Sequence, residues 1–194
     1  MVQVFIEAKN SNTSEYQFIE YVLESLEMEN KTIICVGGKD NLKKFANNIF
    51  QKGPLEDDKK NIVIFDADSI DKNGGFFKRK QELENFKQQN EIDFDLFLWP
   101  NNHDDGTFED VLLDSVKDEH RHILKCFDKF ENCIRQENKT YSYAFPNNKS
   151  KIYTYKELLQ GHKDANDWQF GNKKYWNFNN DYIKALKDFL LQYK

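Results

Sequence analysis

The chain of 194 residues is long enough for one domain with a buried core, and its 39% apolar and 15% aromatic content excludes a disordered polypeptide. The formal net charge of −5 argues against a protein that coats nucleic acid or an anionic membrane by bulk attraction. A nucleic-acid partner would therefore need a local basic surface or bridging metal ions. No apolar run reaches the length of a membrane helix, and with no signal peptide visible the cytoplasm is the expected compartment.

The first half of the sequence alternates apolar strand-like runs with helical periodicity, which is typical of βαβ units. Strands are predicted at 2–6, 32–36, 62–65 and 96–99, and helices at 14–26, 42–50 and 76–89. Ser14 and Gln17 are expected to form a capping box at the start of the first helix. Since each connection between strands is too long for a hairpin, the sequence predicts a parallel sheet flanked by helices, an α/β fold of Rossmann-like type.

The second half of the sequence predicts an α-rich addition to this core. Helices are expected at 108–116 and 120–134 and over the last residues, whereas 139–178 is predicted to be mostly irregular with a strand-like run at 152–155. The three cysteines form no CxxC motif, so neither a zinc site nor a disulfide framework is indicated. Cys126 and Cys133 lie two helical turns apart and are expected in the core. We expect one domain over 1–194, with a core of 1–118 and a mainly helical addition of 119–194.

Acidic residues follow three of the predicted strands, close to the point where each strand ends. Glu7 ends the first strand, Asp66 and Asp68 end the third, and the loop 101–106 follows the fourth. In an open parallel sheet, ligands bind outside the carboxyl ends of the strands, so these groups are expected to share one edge. Other acids fail this test and are assigned to the solvated surface: Asp57, Asp58, Asp93 and Asp95.

Carboxylates gathered at one edge need a compensating charge. Two unit charges about 4 Å apart repel by roughly 4 kcal/mol at an effective dielectric of about 20, so a cation or a proton must occupy the gap. Oxygen ligands from Asp and Glu suit Mg²⁺ or Mn²⁺. The sequence therefore predicts a metal site with Glu7, Asp66 and Asp68, in which Glu7 serves as a ligand or as general acid or base. Loop or helix capping is the alternative role for the two aspartates.

The segment 103–110, HDDGTFED, contains both a capping signal and further acids. Thr107 with Asp110 predicts a capping box at the start of the next helix. Asp104 and Asp105 have no such explanation, so one of them is the candidate for an auxiliary metal ligand or substrate contact. His103 is a candidate base or phosphate contact, with a plain loop histidine as the alternative.

The motifs VFIEAKN and IVIFDADSI resemble the Toprim domain of topoisomerases, primases and OLD-family nucleases. That family has a glutamate ending its first strand and D-x-D ending its third, which correspond to Glu7 and to Asp66 with Asp68. The stretch ICVGGKDNL also resembles the second strand and turn of that family, and PNNHDDGTFEDVLL resembles a family of small uncharacterised bacterial Toprim-like proteins. The resemblance implies a Mg²⁺-dependent acidic site acting on nucleic-acid phosphodiesters. Toprim glutamates are usually followed by glycine and soon by another acid, whereas here Ala8 follows and 9–12 holds no carboxylate.

Two other interpretations remain. The D-x-D motif superficially resembles haloacid-dehalogenase phosphotransferases, but that family places it on the first strand. The second is a binding module without chemistry, because 139–178 holds seven lysines against three acids, interleaved with aromatic residues. In a binding module the lysines would contact phosphates and the aromatic rings would stack on bases. The alternative is that the aromatic rings pack into the core. Lys39, His103 and Lys151 are the candidate substrate contacts.

The leading hypothesis is a metal-dependent phosphodiesterase or nuclease acting on DNA or RNA. The alternative is an inactive Toprim-like module that binds nucleic acid or protein.

Overall fold

The computed structural model describes residues 1–46, 59–137, 140–161 and 166–194. The strands are β1 Val2–Ile6, β2 Lys31–Cys35, β3 Lys60–Asp66 and β4 Asp95–Trp99. The helices are α1 Ser14–Ser25, α2 Leu42–Ala46, α3 Phe76–Gln89, α4 Phe108–Asp114, α5 Arg121–Glu137, α6 Asn148–Gln160 and α7 Asp181–Leu190. Part of the predicted second helix, 47–50, and the acids Asp57 and Asp58 lie outside the described residues.

The four strands form one all-parallel sheet in the order β2-β1-β3-β4. This confirms the predicted α/β class with a helical C-terminal part. The chain proceeds from β1 to β2 on one side and then places β3 on the opposite side of β1. The strand order therefore reverses between β1 and β3, which is where open α/β sheets form a ligand crevice.

Two apolar clusters cover the two faces of the sheet, because successive side chains of a strand point to opposite faces. Val4 and Ile6 belong to one cluster and Phe5 to the other, and all three are fully buried. The first cluster takes in residues of α1, α4, α6 and α7. The second takes in residues of α2 and α3. The C-terminal helices α6 and α7 thus complete the core on the α1 face of the sheet.

Two local predictions were wrong. Helix α1 has Thr13 rather than Ser14 as its N-cap, since the Thr13 side chain accepts a hydrogen bond from the Tyr16 N–H. The strand-like run 152–155 lies inside α6, where Asn147 caps the helix by accepting from the Ser150 N–H. Ile152 and Tyr155 then fall one helical turn apart and are both fully buried. A short apolar run within a polar segment resembles a strand, although the buried residues of this run have the spacing of a helix.

Helix α5 has the predicted amphipathic pattern but buries none of its residues. Cys126 and Cys133 are exposed, so their expected place in the core was wrong. The physical reason is that the side of α5 turned to α6 is partly polar: Asp128 and Glu131 pair there with Lys151. Phe130, on the apolar stripe, is 52% exposed. The spacing of the apolar residues predicted that this segment is a helix, but it did not predict which face of the helix packs against the rest of the protein.

Among the described residues, no helix combines the length and the apolar character needed to cross a membrane.

Candidate functional site

Glu7 and Asp66 lie beside each other at the carboxyl edge, on the two strands between which the order reverses. Ile6, the last residue of β1, pairs with Ile64 of β3, so Glu7 follows directly and Asp66 lies two residues beyond that pair. Asp66 itself pairs with Trp99 at the end of β4. The parallel register thus places both residues at the same edge of the sheet, as the strand-end rule predicted.

Burial raises the pKa of the Glu7 carboxyl to about 7. The positive charge of Arg79 and a backbone hydrogen bond from Asp66 act in the opposite direction, and the negative charge of Asp68 adds to the increase. A carboxyl group with this pKa is present in both protonation states near neutral pH. It can therefore either give or accept a proton there.

Asp66 occupies the face of the sheet that carries α1 and α4. Its Oδ1 accepts a hydrogen bond of 2.7 Å from the N–H of Phe108, the first residue of α4. Burial nevertheless raises the pKa of Asp66 well above its ordinary value, and the negative charges of Glu15, Glu7 and Glu109 raise it further. Since four carboxyl groups interact here, their full ionisation is unfavourable unless a cation is bound.

Glu15 is a site residue that sequence reasoning missed. Burial raises the pKa of its carboxyl to about 8; the hydrogen bond from Trp99 opposes the shift, and Glu7 and Glu109 add to it. The Trp99 Nε1–H donates to Glu15 Oε1 over 3.2 Å. An acid in the first turn of a helix is ordinarily explained by the helix dipole, so the sequence carried no separate signal.

Asp68 faces an internal cation, and this too was missed. Arg79 on α3 has a side chain only 3% exposed, and its Nη2 lies 2.6 Å from Asp68 Oδ2. The same guanidinium donates to the Asp66 carbonyl at 3.2 Å and to Glu82 at 2.7 Å. Asp68 therefore has its charge compensated within the protein, whereas the hydrogen bond that the Asp66 carboxylate accepts from Phe108 comes from a neutral backbone amide.

The loop after β3 has little room around Asp68. The backbone of Asp68 adopts a left-handed conformation, φ 59°, which an aspartate tolerates better than most residues. A Cβ at Gly74 would lie 2.4 Å from the Asp68 Cβ and 2.9 Å from the Ala67 carbonyl oxygen. Glycine at position 74 is therefore needed for this loop to close on itself.

The loops after β3 and β4 are joined by backbone hydrogen bonds. The Asp68 N–H donates to the Gly106 carbonyl over 2.8 Å, and the Gly106 N–H donates back over 3.0 Å. Thr107 and Asp110 then form the predicted capping box of α4, which is confirmed. Glu109, in the first turn of α4, also contributes its negative charge to the carboxylate cluster.

Asp105 caps a helix, so the sequence-based prediction that capping does not explain this residue was wrong. Its Oδ1 accepts a hydrogen bond of 2.6 Å from the N–H of Phe76, the first residue of α3, so it caps that helix from another loop. Asp104 lies on the exposed loop, where it accepts hydrogen bonds from Asn101 and from the His103 ring, both at 2.8 Å. These bonds hold the pKa of Asp104 below its ordinary value, with the His103 bond first. His103 is 82% exposed.

An open cleft of about 570 Å³ adjoins the acidic edge. One side carries Asp66, Asp68 and Glu109; the other carries Asn147, Asn148 and Lys149 from the start of α6. Lys151, the lysine predicted to reach the acidic edge, instead lies 3.3 Å from Asp128 on α5. Lys149, two positions earlier in α6, lines the cleft instead.

Lys39, the other predicted lysine, lies on the α3 side of the edge. Its Nζ is 3.5 Å from Glu82, the residue that also binds Arg79. The Lys39 charge contributes to lowering the pKa of Glu7. Lys39 is thus electrostatically coupled to the site from the opposite face to the 570 Å³ cleft.

The donor set suits a hard divalent cation chemically, because Glu7, Glu15, Asp66 and Glu109 offer only carboxylate oxygens. Within the described residues, however, no three His, Cys, Asp or Glu side chains are arranged to hold a metal ion. Binding an ion would therefore require these carboxylates to draw closer together.

Ala8, which directly follows Glu7, fits its place without strain. It is 6% exposed, and its carbonyl accepts a hydrogen bond of 2.9 Å from the Gly37 N–H. Ala8 is not among the described residues that have a positive φ. A glycine is therefore not required by the backbone conformation after Glu7.

A family model described as "Protein of unknown function (DUF3226)" matches residues 4–193, nearly the whole chain. No curated protein and no solved structure matches the sequence.

Proposed function

Since the chain belongs to DUF3226, a family of proteins of unknown function, we propose its function from the site itself: a metal-dependent phosphodiesterase or nuclease of the Toprim type. The observation that supports this proposal most is the group of carboxyls with raised pKa at the strand reversal. Glu7 and Glu15 have pKa values of about 7 and about 8, and that of Asp66 is also raised. Asp66 lines the 570 Å³ cleft, and Glu7 and Glu15 interact with it electrostatically. Perturbed titratable groups clustered beside a cleft favour a functional site over a structural one.

In this proposal Glu7 and Asp66 are the principal ligands of Mg²⁺ or Mn²⁺, with Glu15 and Glu109 nearby in the same electrostatic cluster. Asp68 takes part by orienting Arg79 rather than as a primary ligand, because that guanidinium already neutralises it. A bound ion would polarise the phosphate and favour an activated water. Glu7 is the candidate general acid or base, since its pKa of about 7 allows proton transfer in either direction near neutral pH.

The test is cleavage of supercoiled plasmid and of labelled oligonucleotides with Mg²⁺ or Mn²⁺ by the parent, Glu7→Gln and Asp66→Asn. Both substitutions nearly preserve shape while removing a charge. We expect a fall in rate of about a hundredfold or more in each. Asp93→Asn, at an exposed carboxylate near the opposite end of β4, is the matched control and should keep the parent rate. Cleavage that survives in Asp66→Asn excludes this site as its source.

A binding module without turnover is the second candidate. The observation that favours it is the compensation of Asp68 by Arg79, together with the lack of a metal-holding trio among the described residues. Calorimetric titration with Mn²⁺ separates the two. Ion binding that disappears in Asp66→Asn, without cleavage of any strand by the parent, supports the module.

A further inference from the structure

The aromatic residues near the C-terminus divide into a buried and an exposed set. Tyr155, Trp168 and Trp176 are at most 3% exposed and belong to the core on the α1 face. Tyr141 and Tyr143 are 69% and 52% exposed, and their ring centroids lie 6.2 Å apart. Core packing therefore explains the first set of rings and leaves the pair at the surface to be explained.

The segment that carries this pair is anchored at its C-terminal side. The Arg135 guanidinium lies 3.8 Å from the centroid of the Phe145 ring, which attaches the segment to α5. Asn148 donates a hydrogen bond of 2.6 Å to Asp110, which attaches the start of α6 to the capping box of α4. Residues 141–149 thus run from the exposed rings to the acidic cleft along a path fixed at two points.

Lys149 stands where this path meets the cleft. Among the described residues that line the cleft, Lys149 is the one with a positive charge. Its Nζ lies 6.0 Å from the Tyr153 ring centroid, whereas the Lys151 Nζ is 3.3 Å from the Asp128 carboxylate. Asn147 is four positions after Tyr143 in the sequence, a span of at most ~14 Å. A strand of a few nucleotides can therefore contact the rings and the cleft together.

We propose that residues 141–149 bind single-stranded nucleic acid, with bases stacked on Tyr141 and Tyr143 and a backbone phosphate on Lys149. This inference rests on the proposed function, to which it adds the substrate class: an unpaired strand that enters the acidic cleft from the α6 side. Exposed rings stack on bases whose faces are free, and those of a duplex are already stacked within the helix. The net charge of −5 also disfavours binding to a duplex backbone in bulk.

The experiment measures fluorescence anisotropy of a labelled single strand and of the same sequence as a duplex, in EDTA so that no cleavage occurs. We expect the parent to prefer the single strand. Tyr141→Ala and Tyr143→Ala should each weaken that affinity by about tenfold, the usual effect of removing one stacking ring. Leu158→Ala, at an apolar side chain of α6 that is 64% exposed, should leave the affinity unchanged.

Lys149→Ala should lower the salt dependence of binding by about 0.7 in the slope of log K against log salt, the effect of one phosphate contact on a single strand. Lys60→Ala serves as the matched control. Lys60 is exposed, and it is the first residue of β3, at the end of the strand opposite to Asp66.

Equal affinity for both strand forms, or unchanged binding in the tyrosine variants, overturns the inference even if the parent cleaves nucleic acid. Tyrosine-dependent single-strand binding without cleavage supports the inference as a binding surface while the proposed reaction fails. Absence of binding to either form, with the tyrosine variants altering self-association in sedimentation instead, overturns the inference in favour of a protein contact.

Discussion

Arg79 Nη2 lies 2.6 Å from Asp68 Oδ2, so a nearly inaccessible guanidinium supplies the countercharge of one aspartate in the D-x-D motif. The other aspartate, Asp66, accepts a hydrogen bond to its carboxylate from the neutral Phe108 N–H. The two acids of the motif are thus chemically unequal. One is paired with the arginine, and the other is the candidate ligand in the proposed function.

Replacing Arg79 by methionine should lower the free energy of unfolding by about 2–4 kcal/mol. The Asp66 carbonyl and two carboxylates lose a donor that is buried, and removal of one partner of such a group is costly. Urea denaturation at neutral pH measures the change. Arg121→Met is the control, because that side chain is 43% exposed and its ion pairs are on the surface, so we expect a loss below about 1 kcal/mol. Equal losses in the two variants would contradict a special role for Arg79.

The same substitution should raise the pKa of Glu7 above its present value of about 7, because the Arg79 charge now lowers it. If Glu7 is the general base, the rising limb of the pH–rate profile should move to higher pH in Arg79→Met. If it is the acid, the falling limb should move in that direction. A profile that keeps both limbs in place would show that Glu7 is not the titrating group.

Glu15→Gln should make the protein more stable in alkaline solution. The folded pKa of Glu15, about 8, lies above the ordinary 4.5, so the folded state holds its proton more tightly than the unfolded state. The resulting stabilisation is complete below the unfolded pKa and is lost as pH rises through about 8. Between about pH 6 and about pH 9 the variant should gain roughly 2–3 kcal/mol relative to the parent.

Unfolding at the two pH values by urea checks this expectation, with Glu24→Gln, an exposed carboxyl on the same helix, as the control. A difference between variant and parent that does not change with pH would refute it.

Gly74→Ala should disturb the loop that carries Asp68. The added Cβ would come within 2.4 Å of the Asp68 Cβ, and the overpacking should cost about 1–3 kcal/mol. Gly171→Ala is the matched control, since its Cβ would meet only the Tyr21 ring at 3.8 Å. Thermal unfolding of both variants compares the two sites. A Gly74 variant as stable as the Gly171 variant would show that the loop can open without cost.

Asp105→Ala should destabilise the start of α3 by about 1–2 kcal/mol, because the Phe76 N–H loses its acceptor. Asp105→Asn keeps a carbonyl oxygen and should restore most of that stability. Asp104→Ala should leave the unfolding transition in place, since this side chain is on the surface. If Asp105→Asn instead fails to restore stability and also weakens Mn²⁺ binding, Asp105 is a metal ligand as first predicted.

The strands and the carboxyl edge were predictable because a buried parallel strand is a continuous apolar run and its end is visible in the sequence. Glu7 and Asp66 could be placed together by this rule alone, before any knowledge of packing. The predicted strand 32–36 differs from the observed Lys31–Cys35 by only one position.

Glu15 and Arg79 could not be found in this way. Each lies in a helix, where its charge has an adequate local explanation, and each reaches the edge only because that helix packs at a particular height on the sheet. Glu15 and Trp99 are 84 positions apart in the sequence, and Arg79 and Asp68 are 11 positions apart in different elements. Neither contact follows the periodicity of a helix or a strand. The exposure of α5 was not predicted either, because an amphipathic sequence does not show which part of the protein packs against the helix.

The two backbone hydrogen bonds between Asp68 and Gly106 join the loop after β3 to the loop after β4. Neither loop can open unless both amides lose their acceptors together. In hydrogen–deuterium exchange these two amides should therefore have a common protection factor, because a single opening event exposes both. Whatever binds at either loop should slow both.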